Sequence, residues 1–202
     1  DTANNSLNAV VDFGEFDLTL IKSFPDFTIQ INDVSLANTG EFQGDTLISI
    51  KKFMATVDLL SVISGGTMKL KTIILDHPRI NAKVLKDGKA NWDVTKPSGP
   101  GNTTSTAADP PSKPFKLNLK KFEIISGYVV YDDVQGQMKS LIEQLNHSLS
   151  GDFTADNFVI NTKTEIEKLT FNHGGINYLN KVKTRLDMEL DADMPAFKFT
   201  FK

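Results

Sequence analysis

Cysteine is absent from this 202-residue chain, which excludes disulfide frameworks, thiolate zinc sites and thiol catalysis. Trp and Tyr are scarce, at 1 and 3 residues, so a carbohydrate-binding surface built on exposed aromatics is poorly provided for. The 14 Phe carry the aromatic content instead, and Phe offers apolar area without a polar handle. An excess of either charge is also missing. The 22 basic and 25 acidic residues interleave to a net −3, which leaves no footprint for nucleic acid and no polybasic stripe for an anionic membrane. No apolar run approaches the ~18 residues a membrane-crossing helix needs.

Catalytic patterns are missing too. His77, His147 and His173 never fall at helical ligand spacing. Asp132-Asp133 and the pair Asp152 and Asp156 lack the alternating ligands and closing Glu of a calcium loop, so they read as turn and cap residues. There is no nucleophile elbow, Walker loop or dinucleotide fingerprint. The expectation is a non-enzymatic protein with no catalytic residue, metal or cofactor.

What is present is β periodicity around one interruption. Residues 96–114, "KPSGPGNTTSTAADPPSKP", hold five of the eight prolines and almost nothing large and apolar. Such a stretch reads as a linker or long loop. It divides the chain into a first β-rich region, 1–95, and a second, 115–202. Within them one pattern recurs: two apolar residues at alternate positions, a jump of three, then two more. Ile29, Ile31, Val34 and Leu36 carry it first, after Phe27. Leu117, Leu119, Phe122 and Ile124 repeat it at an offset of 88 residues. Met68, Leu70, Ile73 and Leu75 form a third copy, and Ile166, Leu169 and Phe171 a weaker fourth. Alternation marks a half-buried strand, and a jump of three would flip its second half unless a bulge absorbs it. A local bend, with all these residues on one face, is expected at each jump.

Each of the last three copies is followed by a Gly- or Pro-containing break and another β-prone run. The fold class expected is therefore mainly β with a few short helices: an antiparallel bent or curved sheet of repeated strand-break-strand units, groove-like in form. Helices are expected at Asp58–Gly66, with an Asp cap and Gly stop, and at Gly136–His147, where Met138, Leu141, Ile142 and Leu145 have helical spacing. The charged stretch 77–94 reads as a hairpin. Ile80, Ala82 and Val84 alternate, Asp87-Gly88 turns, and Ala90, Trp92 and Val94 return. Pro78 would open the first strand, and Trp92 would be its structural anchor.

These residues carry a resemblance. "FPDFTIQINDVSLANTGEF" and "FMATVDLLSVISGGTMKLKTIILDHPRINAKVLKDGKANWDV" resemble the N-terminal region of the AsmA family of bacterial envelope proteins, through Pro25, Val57-Asp58-Leu59-Leu60, Gly65, Pro78, Gly88 and Asn91-Trp92. "LNLKKFEIISGYVVYDD" is similar to the strand after that family's linker, so the likeness spans residues 24–133 well and the rest loosely. It implies an apolar β groove, no catalytic residues, lipid acyl chains or membrane-proximal partners, and no nucleic acid. It also implies a place on the periplasmic side of the bacterial inner membrane, in a parent anchored by a segment outside this sequence. The start at Asp1 and the alternating Phe197, Phe199 and Phe201 at the end are read as marks of a fragment. The leading expectation is a passive lipid-shielding or lipid-conducting part in outer-membrane biogenesis. The alternative is a self-covered β scaffold or protein-interaction domain.

Overall fold

The computed structural model describes residues 7–20, 24–64, 69–95, 119–151, 157–193 and 195–202. The expected linker at 96–114, Leu117, Met68, Gly65, Gly66, Asp152 and Asp156 lie outside them. Ten strands form the fold: β1 (Ala9–Asp12), β2 (Phe16–Thr19), β3 (Asp26–Asn38), β4 (Thr46–Asp58), β5 (Leu70–Val84), β6 (Lys121–Asp133), β7 (Met138–Gly151), β8 (Asn157–His173), β9 (Ile176–Asp193) and β10 (Lys198–Phe201). They make a single open, curved sheet in the order β1-β3-β4-β5-β6-β7-β8-β9-β10, with β2 also paired to β3.

The regions on either side of residues 96–114 thus share one sheet. Their junction, β5 against β6, is parallel, and every other pairing is antiparallel. A parallel pair needs a long crossover, and residues 85–120 supply the length. The antiparallel pairs β6–β7 and β8–β9 follow from short turns. Gly174 and Gly175, both at positive φ, close the β8–β9 hairpin, where an L side chain would be strained.

Two of the expected strand-break-strand units are single strands. β5 runs through His77-Pro78, and β6 through Ser126-Gly127. The interruption is one left-handed residue in each, His77 at φ 50° and Ser126 at φ 52°, which turns the chain's phase without ending the strand. Pro78 consequently lies inside β5, fully buried and opposite Ile50, rather than at a strand start. Its missing N–H falls at an irregularity, where a sheet tolerates it.

The first helix expected is present as α1 (Leu59–Ile63), and a 3-10 turn spans Gly40–Phe42. Asp58 caps α1 by accepting from the Ser61 backbone N–H at 2.8 Å. The same carboxylate pairs with Lys71 Nζ at 2.9 Å, and Lys71 reaches Asp26 at 2.6 Å. The Lys71 hydrogen bond, then that of Ser61, holds the Asp58 carboxyl below its ordinary range. The hydrogen bonds to Asp26 and Asp58 raise Lys71. This cluster ties the ends of β3, β4 and β5 together beside α1.

The second helix expected is a strand instead: residues 134–137 turn and β7 follows. Met138, Ile142 and Leu145 owe their helix-like spacing to a strand that jumps phase, and Leu141 faces the other way, opposite Val130. The 80–94 hairpin is also only half a hairpin. After Val84 the chain turns at Gly88 (φ 85°), and the return makes one bridge, Ala90 to Val84, before turning again at Asn91 and Trp92. Asn91 terminates it. Its Oδ1 accepts from the Lys83 N–H at 2.9 Å, its Nδ2 donates to the Asn81 carbonyl at 2.7 Å, and its own carbonyl accepts from Asn38 Nδ2 at 2.6 Å. With Asn91 only 1% exposed, these bonds clamp the turn to β3 and β5.

Candidate functional site

Residues directly opposite in a sheet share a face, so the strand registers trace side-chain rows across the molecule. One row runs Leu18, Ile29, Ala55, Ile73, Phe122, Leu149, Thr162, Met188. The next runs Phe16, Ile31, Phe53, Leu75, Ile124, His147, Thr164, Leu186. A third joins Val11, Leu36, Ile48, Ile80, Val129, Ile142, Leu169 and Val182. Between the second and third lie Val34, Ile50 and Pro78 on one side and Gly127, Leu145, Ile166 and Thr184 on the other. Leu70 stands opposite Val57, and Phe171 opposite Leu179. The pattern residues of all four copies that lie in strands therefore occupy one face. Leu119 sits just before β6 and is buried.

Rows on the opposite face are mainly polar, with a few apolar exceptions such as Met54, Ile74, Val130 and Leu141. One reads Thr19, Thr28, Thr56, Thr72, Lys121, Ser150, Asn161, Glu189. Solvent-facing i, i+2 ion pairs decorate it, such as Lys121–Glu123, Lys163–Glu165 and Arg185–Asp187. Each is worth only about 0–1 kcal/mol, so this face is a wet surface more than a source of stability.

The two faces keep their character because the phase jumps line up. In β3 the outward doublet is Asn32-Asp33, in β4 Lys51-Lys52 and in β5 Asp76-His77, each followed by a return to the apolar face. Asp33 and His77 take left-handed φ values within the doublet, and Ser126 in β6, Gln144 in β7 and Lys181 in β9 are left-handed too. Between β3, β4 and β5 the registers continue unchanged across the line, since neighbours break at the same level. Shifts do occur between Ile124 and Tyr128 and between Ile166 and Phe171. Two of the expected bends, Ile31 to Val34 and Ile166 to Leu169, thus fall on a shared crease where the long strands carry an extra residue on the polar face, whereas the jump from Leu70 to Ile73 meets a separate register shift against Thr56 and Val57.

The crease in β6 falls at Ser126, not at the sequence jump from Leu119 to Phe122. Phe122 and Ile124 consequently share rows with Ile29 and Ile31, whereas the 88-residue repeat would match them to Val34 and Leu36. That repeat also omits β4. The signal for it is present in "ISIKKFMATV", where Ile48 and Ile50 jump over Lys51-Lys52 to Phe53, Ala55 and Val57.

Among the described residues no second layer lies over the apolar face. The main packing between elements joins adjoining strands, and α1, five residues long, touches β3. Most of the apolar rows are half-buried rather than buried. Trp92 is 45% exposed and stacks on Tyr131 at 6.2 Å between ring centroids. Tyr131 belongs to the apolar face through Ala82, so Trp92 stands at its rim. Gly127 marks a tightly packed point on this face: a Cβ there would lie 2.9 Å from Ile124 Cγ2 and 3.4 Å from Leu145 Cβ. Among the described residues no group of three His, Asp or Glu could hold a metal ion, and no helix is long and apolar enough to cross a membrane.

A family model described as the AsmA family matches residues 13–196. The chain belongs to the AsmA family. Comparison with curated proteins and with solved structures returned no match. The AsmA match extends from β2 through the turn after β9, so it takes in the whole crease and nearly all of both faces. AsmA membership points to a role in the bacterial envelope, in a family not known for enzymatic activity.

Proposed function

We propose that this AsmA chain is a passive lipid-handling part of a cell-envelope protein, shielding or conducting acyl chains on the apolar face of its sheet in the service of outer-membrane biogenesis. The observation that carries the reading is an apolar face, unbroken over seven long strands in the row from Leu36 to Val182, with no helix or strand forming a second layer on it among the described residues. Burying one such side chain fully is worth about 1.5–3 kcal/mol, so a dozen half-buried ones leave a large unmet driving force for an apolar occupant.

The dimensions suit an acyl chain. From β3 to β9 there are six inter-strand steps, about 29 Å at ~4.8 Å each, against a bilayer hydrocarbon core of about 30 Å that holds two leaflets of tails. The crease runs across the strands, so tails would lie along it, over the rows containing Ile31, Val34 and Ile124. In this reading Ile29, Leu36, Leu70, Ile73, Leu75, Phe122, Ile166, Leu169 and Phe171 line the groove. The periplasmic side of the inner membrane, with the parent anchored elsewhere, is the location such a role requires. Among the described residues, a self-covered scaffold would need a layer that the five residues of α1 do not supply.

The test places a photo-crosslinking amino acid at Ile124 in one strain and at its outward neighbour Glu123 in another. Lipid adducts from position 124 and none from 123 support the groove. Adducts from neither position, in protein shown to be folded, would return the scaffold reading to first place.

A further inference from the structure

The apolar face is not uniform. From β3 to β6 its rows are almost purely aliphatic and aromatic, but in β7 to β9 they change. Ile124 is followed by His147 and Thr164, Leu149 by Thr162, and Ile166 by Thr184. His147 stands at the boundary. Its ring packs at 6.1 Å from that of Phe122 on the aliphatic side, and its Nδ1 shares a 2.9 Å hydrogen bond with Thr164 Oγ1 on the other. Both residues are half-buried. Among the described residues the second ring nitrogen, Nε2, has no hydrogen-bond partner. The Thr164 bond restrains the ring, which leaves Nε2 as a fixed handle where the aliphatic rows give way to polar ones.

A polar group on such a face costs free energy unless something hydrogen-bonds it. The amphiphile that fits has tails for the aliphatic rows and an oxygen-rich group, a phosphate or an ester carbonyl, where those rows end. We propose that His147 and Thr164 form a head-group subsite that binds such oxygens, with the tails directed towards β3. This rests on the groove reading above and adds a site, a ligand chemistry and an orientation to it.

The test uses three fluorescent probes with one pyrene-labelled alkyl chain, ending in a methyl group, a methyl ester or a phosphate. Binding to the whole chain is compared with binding to His147→Phe, which keeps a ring against Phe122, and Thr164→Val, which keeps the shape. Circular dichroism and a thermal melt establish that each variant is folded. The expected result is an unchanged affinity for the plain alkyl probe, with a loss of about tenfold for the ester or the phosphate probe, the size of one good hydrogen bond. Loss for the phosphate alone names a phosphate head, and loss for the ester alone names an ester. Equal losses for all three probes would make the pair a packing element and overturn the subsite, as would no loss at all. A wild-type chain that binds none of the three would overturn the groove itself and the subsite with it.

Discussion

The crease makes an unusual demand on residue choice, and Gln144 is the place to test it. It sits in the middle of β7, exposed, at φ 54°. Left-handed backbone costs an L residue about 1–2 kcal/mol, more when the side chain is β-branched, and glycine escapes it. Gln144→Gly therefore gains back roughly 1 kcal/mol of strain while losing about 0.5–1 to unfolded-chain entropy, a net between zero and slight stabilisation. Gln144→Val should cost about 2 kcal/mol, since a stiff branched side chain is forced into the same conformation. At an ordinary strand position the order runs the other way, with Val above Gly. Glu143, one residue earlier, supplies that control: Glu143→Gly should destabilise by about 1 kcal/mol, from the strand-glycine penalty plus a weak pair with Lys168. In thermal melts a chain of this length shifts about 2–4 °C per kcal/mol, so the differences between Gln144→Gly, Gln144→Val and Glu143→Gly are measurable. A Gln144→Val variant more stable than Gln144→Gly would refute the left-handed crease in β7, and with it the account of why one face stays apolar.

Other outcomes follow from particular contacts. Asn91→Ala should destabilise by about 2–4 kcal/mol in urea titration, because it strands the Lys83 N–H and the Asn81 carbonyl in a buried turn. Gly127→Ala should cost about 1–3 kcal/mol by overpacking against Ile124 Cγ2, and Ile124→Leu, which moves the branch away from Cβ, should recover much of that loss in the double variant. Asp58→Ala should cost about 1–2 kcal/mol, through loss of the α1 cap and of one of the two carboxylates that pair with Lys71. The pH dependence has a definite sign. Asp58 is depressed on folding, so its contribution is complete above the ordinary Asp value of ~3.9 and is lost as pH falls through the folded value. Lys71 is raised, so its contribution is complete below the ordinary Lys value of ~10.4 and is lost as pH climbs through the folded value. In stability measured from pH 2 to 12, a Lys71→Met variant should lose the Lys71 part of the alkaline shoulder, and the Asp58 part of the acid shoulder should shrink towards what the Ser61 N–H supplies.

Which residues point the same way was largely legible in the sequence, because alternation is a property of a single strand. Ile29, Ile31, Val34 and Leu36 announce both the strand and its phase jump without reference to any neighbour. So do Ile166, Leu169 and Phe171, and the Asp58 cap with Leu59 to Ile63 marks the helix. Where local periodicity admitted two readings it misled: a strand that jumps by three places Met138, Ile142 and Leu145 at helical spacing, and only pairing with β6 and β8 settles the choice. Register was not legible either. That Phe122 shares a row with Ile29 depends on β4 and β5 standing between them, and cross-strand partners are far apart in the chain. The parallel β5–β6 junction, the union of the two regions in one sheet and the alignment of the phase jumps along one crease belong to the same class. A sequence dictates each strand's two faces through local sterics and side-chain chemistry. Whether seven such faces merge into one depends on hydrogen-bond pairing between distant strands, which the tertiary structure alone decides.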